Sequence, residues 1–117
     1  MSRSAWLRVG DMVDAARMAV AWTQGLDRAA FLGDDLRKSG VQWQLLVLGE
    51  AAKAVPADIQ AQEPGFNWRG AIRLRDFLAH GYSDIDAEAL WEIATQELPR
   101  DLPVLTALWK RLEKLDA

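Results

Sequence analysis

His80 and Tyr82 are the sole histidine and the sole tyrosine of this chain. They sit together in the stretch Arg75-Asp76-Phe77-Leu78-Ala79-His80-Gly81-Tyr82. An imidazole titrates nearer neutral pH than any other unperturbed side chain, which makes it the usual general acid or base. A guanidinium five residues earlier supplies fixed positive charge of the kind that holds a phosphate. Arg69 and Arg73 crowd the same segment, and Asp76 is the carboxylate that opposes them. On a chain of net charge −3 this pattern allows a small, phosphate-sized positive site. It argues against a long electrostatic groove for nucleic acid, because such grooves draw their affinity from many Lys and Arg side chains.

Helical geometry says which of these groups can meet. Asp76 and His80 are four residues apart, so they share a helix face and the carboxylate can hold the imidazole. Arg75 and His80 are five apart, roughly 140° around the axis at about 100° per residue. One face cannot bring both to the same phosphate. Either the arginine wraps around the helix, or two copies pair so that residues of both line one cleft. Plainer roles are open to each residue. A histidine ahead of a helix-ending glycine can cap a terminal carbonyl, Tyr82 can be a half-buried ring, and Arg69 with Arg73 can be a solvated face. One histidine among scattered carboxylates matches no metal-ligand spacing, so no metal site is expected.

The elements that must position these residues read as helices. Trp6, Val9, Val13, Ala16 and Val20 recur at three- and four-residue steps and predict a first helix of about five turns, ended by Gly25. Asp27 can cap a short turn ahead of Phe31 and Leu32. A second long helix is expected from Asp34 or Asp35 to about Ala54, where Pro56 stops it. Its stripe is Val41, Leu45, Leu48, Ala52 and Val55, yet Trp43, Leu46 and Val47 lie off that stripe. Such a helix is central in a bundle or covered by a second subunit, which favours a twofold homodimer with the site at its seam. A connector is expected between Pro56 and Phe66, then a third helix from Trp68 to about His80, capped by Asn67 and ended by Gly81. A fourth helix from about Asp86 to Leu98 is expected to be interrupted at Pro99. Leu105, Leu108, Leu112 and Leu115 define the last helix, with Pro103 in its first turn. The fold class is therefore all-α, a bundle of four main helices plus short pieces, in one domain over residues 1–117. With no cysteine, no apolar run near membrane-spanning length and no signal-peptide core at Met1-Ser2-Arg3, a soluble cytoplasmic protein is expected.

Arg75, His80 and Tyr82 spell R-x-x-x-x-H-x-Y, followed by a short acidic turn and Leu90-Trp91. This resembles the HepT-like family of HEPN-domain proteins. Phe31-Leu32, Leu48-Gly49-Glu50-Ala51-Ala52-Lys53, Trp68-Arg69 and Leu98-Pro99 also fall where that family has like residues, so the likeness runs from about Leu7 to Leu112. The resemblance implies a HEPN-type four- or five-helix up-and-down bundle that dimerises with the motif at the cleft. It implies the toxin of a type VII-like HEPN/MNT toxin–antitoxin system, an endoribonuclease that cuts RNA without metal or other cofactor. Carried over, Arg75 would neutralise the scissile phosphate, and His80 would act as general base or acid on the 2′-hydroxyl or the leaving oxygen. Tyr82 matches the tyrosine that the partner, an MntA-like minimal nucleotidyltransferase antitoxin, modifies with AMP from ATP.

Four positions around this motif need separate readings, two from charge and two from the resemblance. Arg69 and Arg73 are candidates for RNA or phosphate binding. Glu50, in its Gly-Glu-Ala setting, is a possible accessory group, or else a helix residue paired with Lys53 or an arginine. The family more usually has Asn where this chain has Asp76. That extra carboxylate either orients His80 as part of the catalytic set or repels the RNA backbone. The second case implies an alternative function, a catalytically inactive helical scaffold that presents a substrate or tyrosine to a nucleotidyltransferase.

Overall fold

A computed structural model describes residues 2–80 and 86–116, with side chains from Ala5 to His80 and from Asp86 to Leu115. Gly81 and Tyr82 lie outside the described residues. Among the described residues seven α-helices follow in order: α1 (Ser2–Ala21), α2 (Arg28–Leu32), α3 (Asp35–Ala54), α4 (Ala57–Gln60), α5 (Trp68–His80), α6 (Ala87–Glu92) and α7 (Leu98–Asp116). No strand occurs among the described residues.

Local chemistry accounts for most helix ends. Gly25 adopts φ 79°, the left-handed conformation that a side chain resists, just beyond the end of α1. The Asp27 carboxylate accepts from the Ala30 N–H at 2.8 Å and starts α2. The Asp34 carboxylate accepts from Arg37 N–H at 3.0 Å and starts α3. Caps of this type each contribute about 1 kcal/mol. Asn67 does the same for α5, its Oδ1 accepting from Gly70 N–H at 2.9 Å.

The four long helices lie side by side in the order α7, α1, α3, α5, with α2 and α6 packed together at one end. Val9, Met12, Val13 and Ala16 of α1 meet Leu105, Leu108 and Leu112 of α7 in a core whose side chains are almost fully buried. α1 and α3 run antiparallel, since Trp22 lies on Gly40 while Gln44 reaches Met18. The over-apolar second helix, α3, is central in the bundle. It lies between α1 and α5, yet its Trp43 remains 60% exposed. The other tryptophans are anchors. Trp68 is buried, and the rings of Trp6 and Trp109 stack at 6.5 Å.

Three expectations need correction. The connector after Pro56 contains a helical turn, α4, which Pro56 initiates and Ile59 ties to the core. Pro99 does not interrupt the chain's course. α6 continues into α7 through a π-type stretch, Ile93–Glu97, and both Pro99 and Pro103 sit within α7. In an unbroken α-helix Pro99 would leave the Thr95 carbonyl without its donor and collide with it. Thr95 instead lies inside the wider turn, and its hydroxyl donates to the Trp91 carbonyl at 2.6 Å. Finally, Leu115 is 73% exposed and lies beyond the buried stripe of α7.

Candidate active site

α5 is set in place at its first residue. The Trp68 ring is buried edge-on against Phe66, with centroids 5.0 Å apart, and its Nε1–H donates to the Glu63 carbonyl at 2.9 Å. From there α5 packs chiefly on α3. The contact is closest at Gly49. A Cβ built there would lie 2.3 Å from Arg75 Cβ and 2.6 Å from the Ala71 carbonyl oxygen. The absence of a side chain at Gly49 is what lets the α5 backbone press against α3 and brings the root of Arg75 to that crossing. Sequence reasoning used Gly49 only as part of a resemblance. The signal was nonetheless present, because a glycine inside a helix costs about 1 kcal/mol relative to alanine and calls for a packing reason.

From this crossing Arg75 extends between two carboxylates. Its Nε donates to Glu50 Oε2 at 2.5 Å, and its Nη1 donates to Asp76 Oδ1 at 2.9 Å. Lys53 Nζ lies 3.9 Å from the same Asp76 oxygen. Glu50 thus pairs with the motif arginine, the plainer of its two expected roles, and Lys53 serves Asp76. Two acids and two bases balance locally, so Arg75 is a positioned donor rather than a bare positive charge. Two of its five N–H groups are used by these bonds, which leaves the outer edge of the guanidinium for another acceptor.

Asp76 does not hold the imidazole. Its described partners are Arg75 and Lys53, and His80 only adds a favourable charge at longer range. A full positive charge within hydrogen-bond distance outcompetes the same-face neighbour that spacing suggests. The hydrogen bond from Arg75 holds the Asp76 carboxyl below its ordinary value, against the opposing cost of partial desolvation and with lesser help from the charges of Lys53, Arg75 and His80. The bonds from Asp76 and then Glu50 raise the Arg75 guanidinium further above its already high value.

A pH dependence follows. Because the folded value of Asp76 lies below its unfolded value of 3.8, the unfolded chain binds the extra proton in between. The pair's contribution is therefore complete above that value and lost as pH falls through the depressed folded value. Both partners meet solvent, so the effect is small. Melting wild type and Asp76→Asn over roughly pH 2 to 5 should show a stability gap that closes on acidification. The same substitution removes a negative charge beside Arg75. It should tighten the binding of a phosphate anion at that arginine by about two- to tenfold at low salt, with the gain shrinking as salt screens it.

His80, in the last described turn of α5, is exposed. Arg69 and Arg73 are exposed as well, on the same side of the helix as His80. Arg75 points instead to the α3 side, as the expected separation of about 140° requires. Within one protomer the structure places Arg75 and His80 on different faces and does not bring them together. Tyr82 lies outside the described residues.

The outer edge of Arg75 opens on a shallow groove of about 380 Å³ whose lining includes Arg8, Asp11, Trp43, Val47, Glu50 and Ala79. Leu46 joins this groove to a neighbouring hollow that includes Leu78. Trp43, Leu46 and Val47 are the α3 residues that fell off the buried stripe. They surround the site arginine with apolar surface.

Comparisons with known proteins place the chain in a family. The chain is 31% identical over 106 residues to a Methanocaldococcus jannaschii protein named "Putative RNase MJ0127", covering 91% of this chain and 88% of that one. It is 30% identical over 114 residues to "Probable ribonuclease HepT" of Thermococcus cleftensis, covering 97% of this chain and all of that one. No solved structure gives a significant match. The family model described as "Ribonuclease HepT-like" matches residues 12–108, from the middle of α1 to the middle of α7, with Gly49, Glu50, Arg75, Asp76 and His80 all inside it. The all-α bundle is therefore of HEPN type, and the chain belongs to the HepT-like ribonuclease family.

Proposed function

We propose that this protein is a metal-independent endoribonuclease, the toxin of a type VII-like HEPN/MNT toxin–antitoxin pair, working as a homodimer. The observation that carries this reading is the pairing of Arg75, pinned by Glu50 and Asp76 at the lip of a groove, with an exposed His80 on the same helix. In the proposed reaction His80 accepts the proton of a 2′-hydroxyl. The 2′-oxygen attacks the adjacent phosphorus, and the bond to the 5′-oxygen breaks. A cyclic phosphate remains on one fragment, and the released oxygen takes up a proton. Arg75 comes from the other protomer of the dimer, and its free N–H groups face the oxygens on which negative charge builds. These two groups can supply proton transfer and charge stabilisation without an added cofactor.

Dimerisation is supported by the groove. Exposed Trp43 with Leu46, Val47 and Leu78 forms an apolar patch. Arg8 and Arg75 oppose Asp11 and Glu50 around it, a balance that a twofold copy of the same face can complement. Tyr82, two residues beyond His80, is proposed as the acceptor of AMP from ATP, transferred by an MntA-like nucleotidyltransferase antitoxin with release of pyrophosphate. A phosphodiester there would set negative charge and bulk beside the phosphate site.

The test is solo and paired expression. Unmodified protein should arrest growth and cleave RNA in EDTA. Co-expression with the nucleotidyltransferase should add one adenylyl group at Tyr82 and stop both. Cleavage abolished by EDTA, or toxicity unaffected by the modification, contradicts the reading. The neutralised state of Arg75 favours a second reading, an inactive scaffold for the nucleotidyltransferase. That reading predicts adenylylation of Tyr82 with no toxicity from the unmodified chain.

A further inference from the structure

Phe77 leaves 47% of its surface in water, along one edge of the exposed face of α5. Around the helix axis Arg69, Arg73, Asp76, Phe77 and His80 fall within about 100° of one another. Arg73 precedes Phe77 by one turn and His80 follows it by one turn, at axial rises of about 6 Å and 4.5 Å. Phe77 and Ala79 are roughly 160° apart, so the ring stands away from the groove around Arg75. The one carboxylate on the ridge, Asp76, is already engaged by Arg75 and Lys53. An aromatic face flanked by cationic side chains is the combination that binds unpaired nucleotides, since each base offers a π-face and each linkage a phosphate.

We infer that Phe77 is a base-stacking platform for single-stranded RNA, its ring covering the base next to the phosphate on which His80 acts, with Arg73 holding a neighbouring phosphate. The inference rests on the proposed ribonuclease reading and adds the residue that selects an unpaired strand. Duplex RNA cannot use the ridge in this way, because its bases remain stacked on one another.

The experiment measures equilibrium binding of a fluorescent, unstructured oligoribonucleotide to full-length His80→Ala protein, which binds without cutting, at several salt concentrations. Adding Phe77→Ala should weaken binding by about 5- to 150-fold and leave the salt slope unchanged, because no phosphate contact is lost. Phe77→Tyr keeps the ring and should bind like the parent, which separates loss of stacking from loss of fold. Arg73→Ala should lower the salt slope by about one. Binding by Phe77→Ala equal to the parent overturns the inference and leaves the ribonuclease reading standing. So does weakened dimerisation of Phe77→Ala, measured by sedimentation, with RNA affinity unchanged. A parent that binds no RNA overturns both.

Discussion

Replacing His80 with alanine is expected to lower RNA cleavage by about 10²- to 10⁴-fold, the range that a single well-placed general acid–base group supplies. The structure gives the variant a clean background. His80 is exposed and makes no described hydrogen bond, so its removal should leave the melting temperature close to that of wild type. A loss of cleavage with an unchanged melt is the signature of a chemical role. A helix-capping role would show the reverse, a lower melting temperature with cleavage intact. Arg75→Ala should cost a similar factor in rate but with a structural penalty, since it leaves the Glu50 and Asp76 carboxylates facing one another without their shared donor. Neither loss should depend on EDTA.

The largest effect on the fold is expected at Gly49. A methyl or larger group there meets Arg75 Cβ and the Ala71 carbonyl at distances no real side chain tolerates, and the second of these is backbone that cannot rotate away. α5 must lift from α3. Overpacking of this kind costs about 1–3 kcal/mol, and for alanine about 1 kcal/mol is recovered as helix propensity. Gly49→Val should therefore lower the melting temperature by roughly 5–15 °C and Gly49→Ala by less. Activity should fall further than stability, because a shift of about 1 Å in Arg75 is enough to cost on the order of a hundredfold in rate. Thermal melts with cleavage rates on the two variants check both parts. A Gly49→Val protein that melts and cuts like wild type would show that the helices do not cross as described.

How much of this was legible depends on the range of the forces involved. Asp27, Asp34 and Asn67 announce helix starts, and Gly25 and Pro56 announce ends, because capping and dihedral preference act within a few residues. The extent of α5 from Trp68 to His80 followed from the same signals. Pro99 misled because a proline reads as a break, whereas the π-type stretch before it relieves the clash without one. Within the candidate site, helical spacing correctly separated Arg75 from His80. It wrongly gave Asp76 to His80, since spacing weighs same-face neighbours one turn apart, whereas the long side chain of the adjacent Arg75 folds back onto Asp76 and Lys53 approaches from α3. Glu50 was left with two possible partners until the crossing at Gly49 showed that Arg75, not Lys53, is within its reach. Phe77 was passed over because an exposed aromatic ring acquires meaning only beside the exposed Arg73 and His80.

The central claim is that Arg75 of one protomer and His80 of the other serve one phosphate. It is tested most directly by mixing Arg75→Ala and His80→Ala proteins, each inactive alone, under conditions that exchange subunits. In a mixed dimer one site has lost both groups and the other retains both. Random pairing should therefore restore cleavage to about a quarter of the wild-type rate, as twofold symmetry requires. If exchange is verified by mass and the mixture remains as inactive as its components, the two residues do not act across a dimer seam.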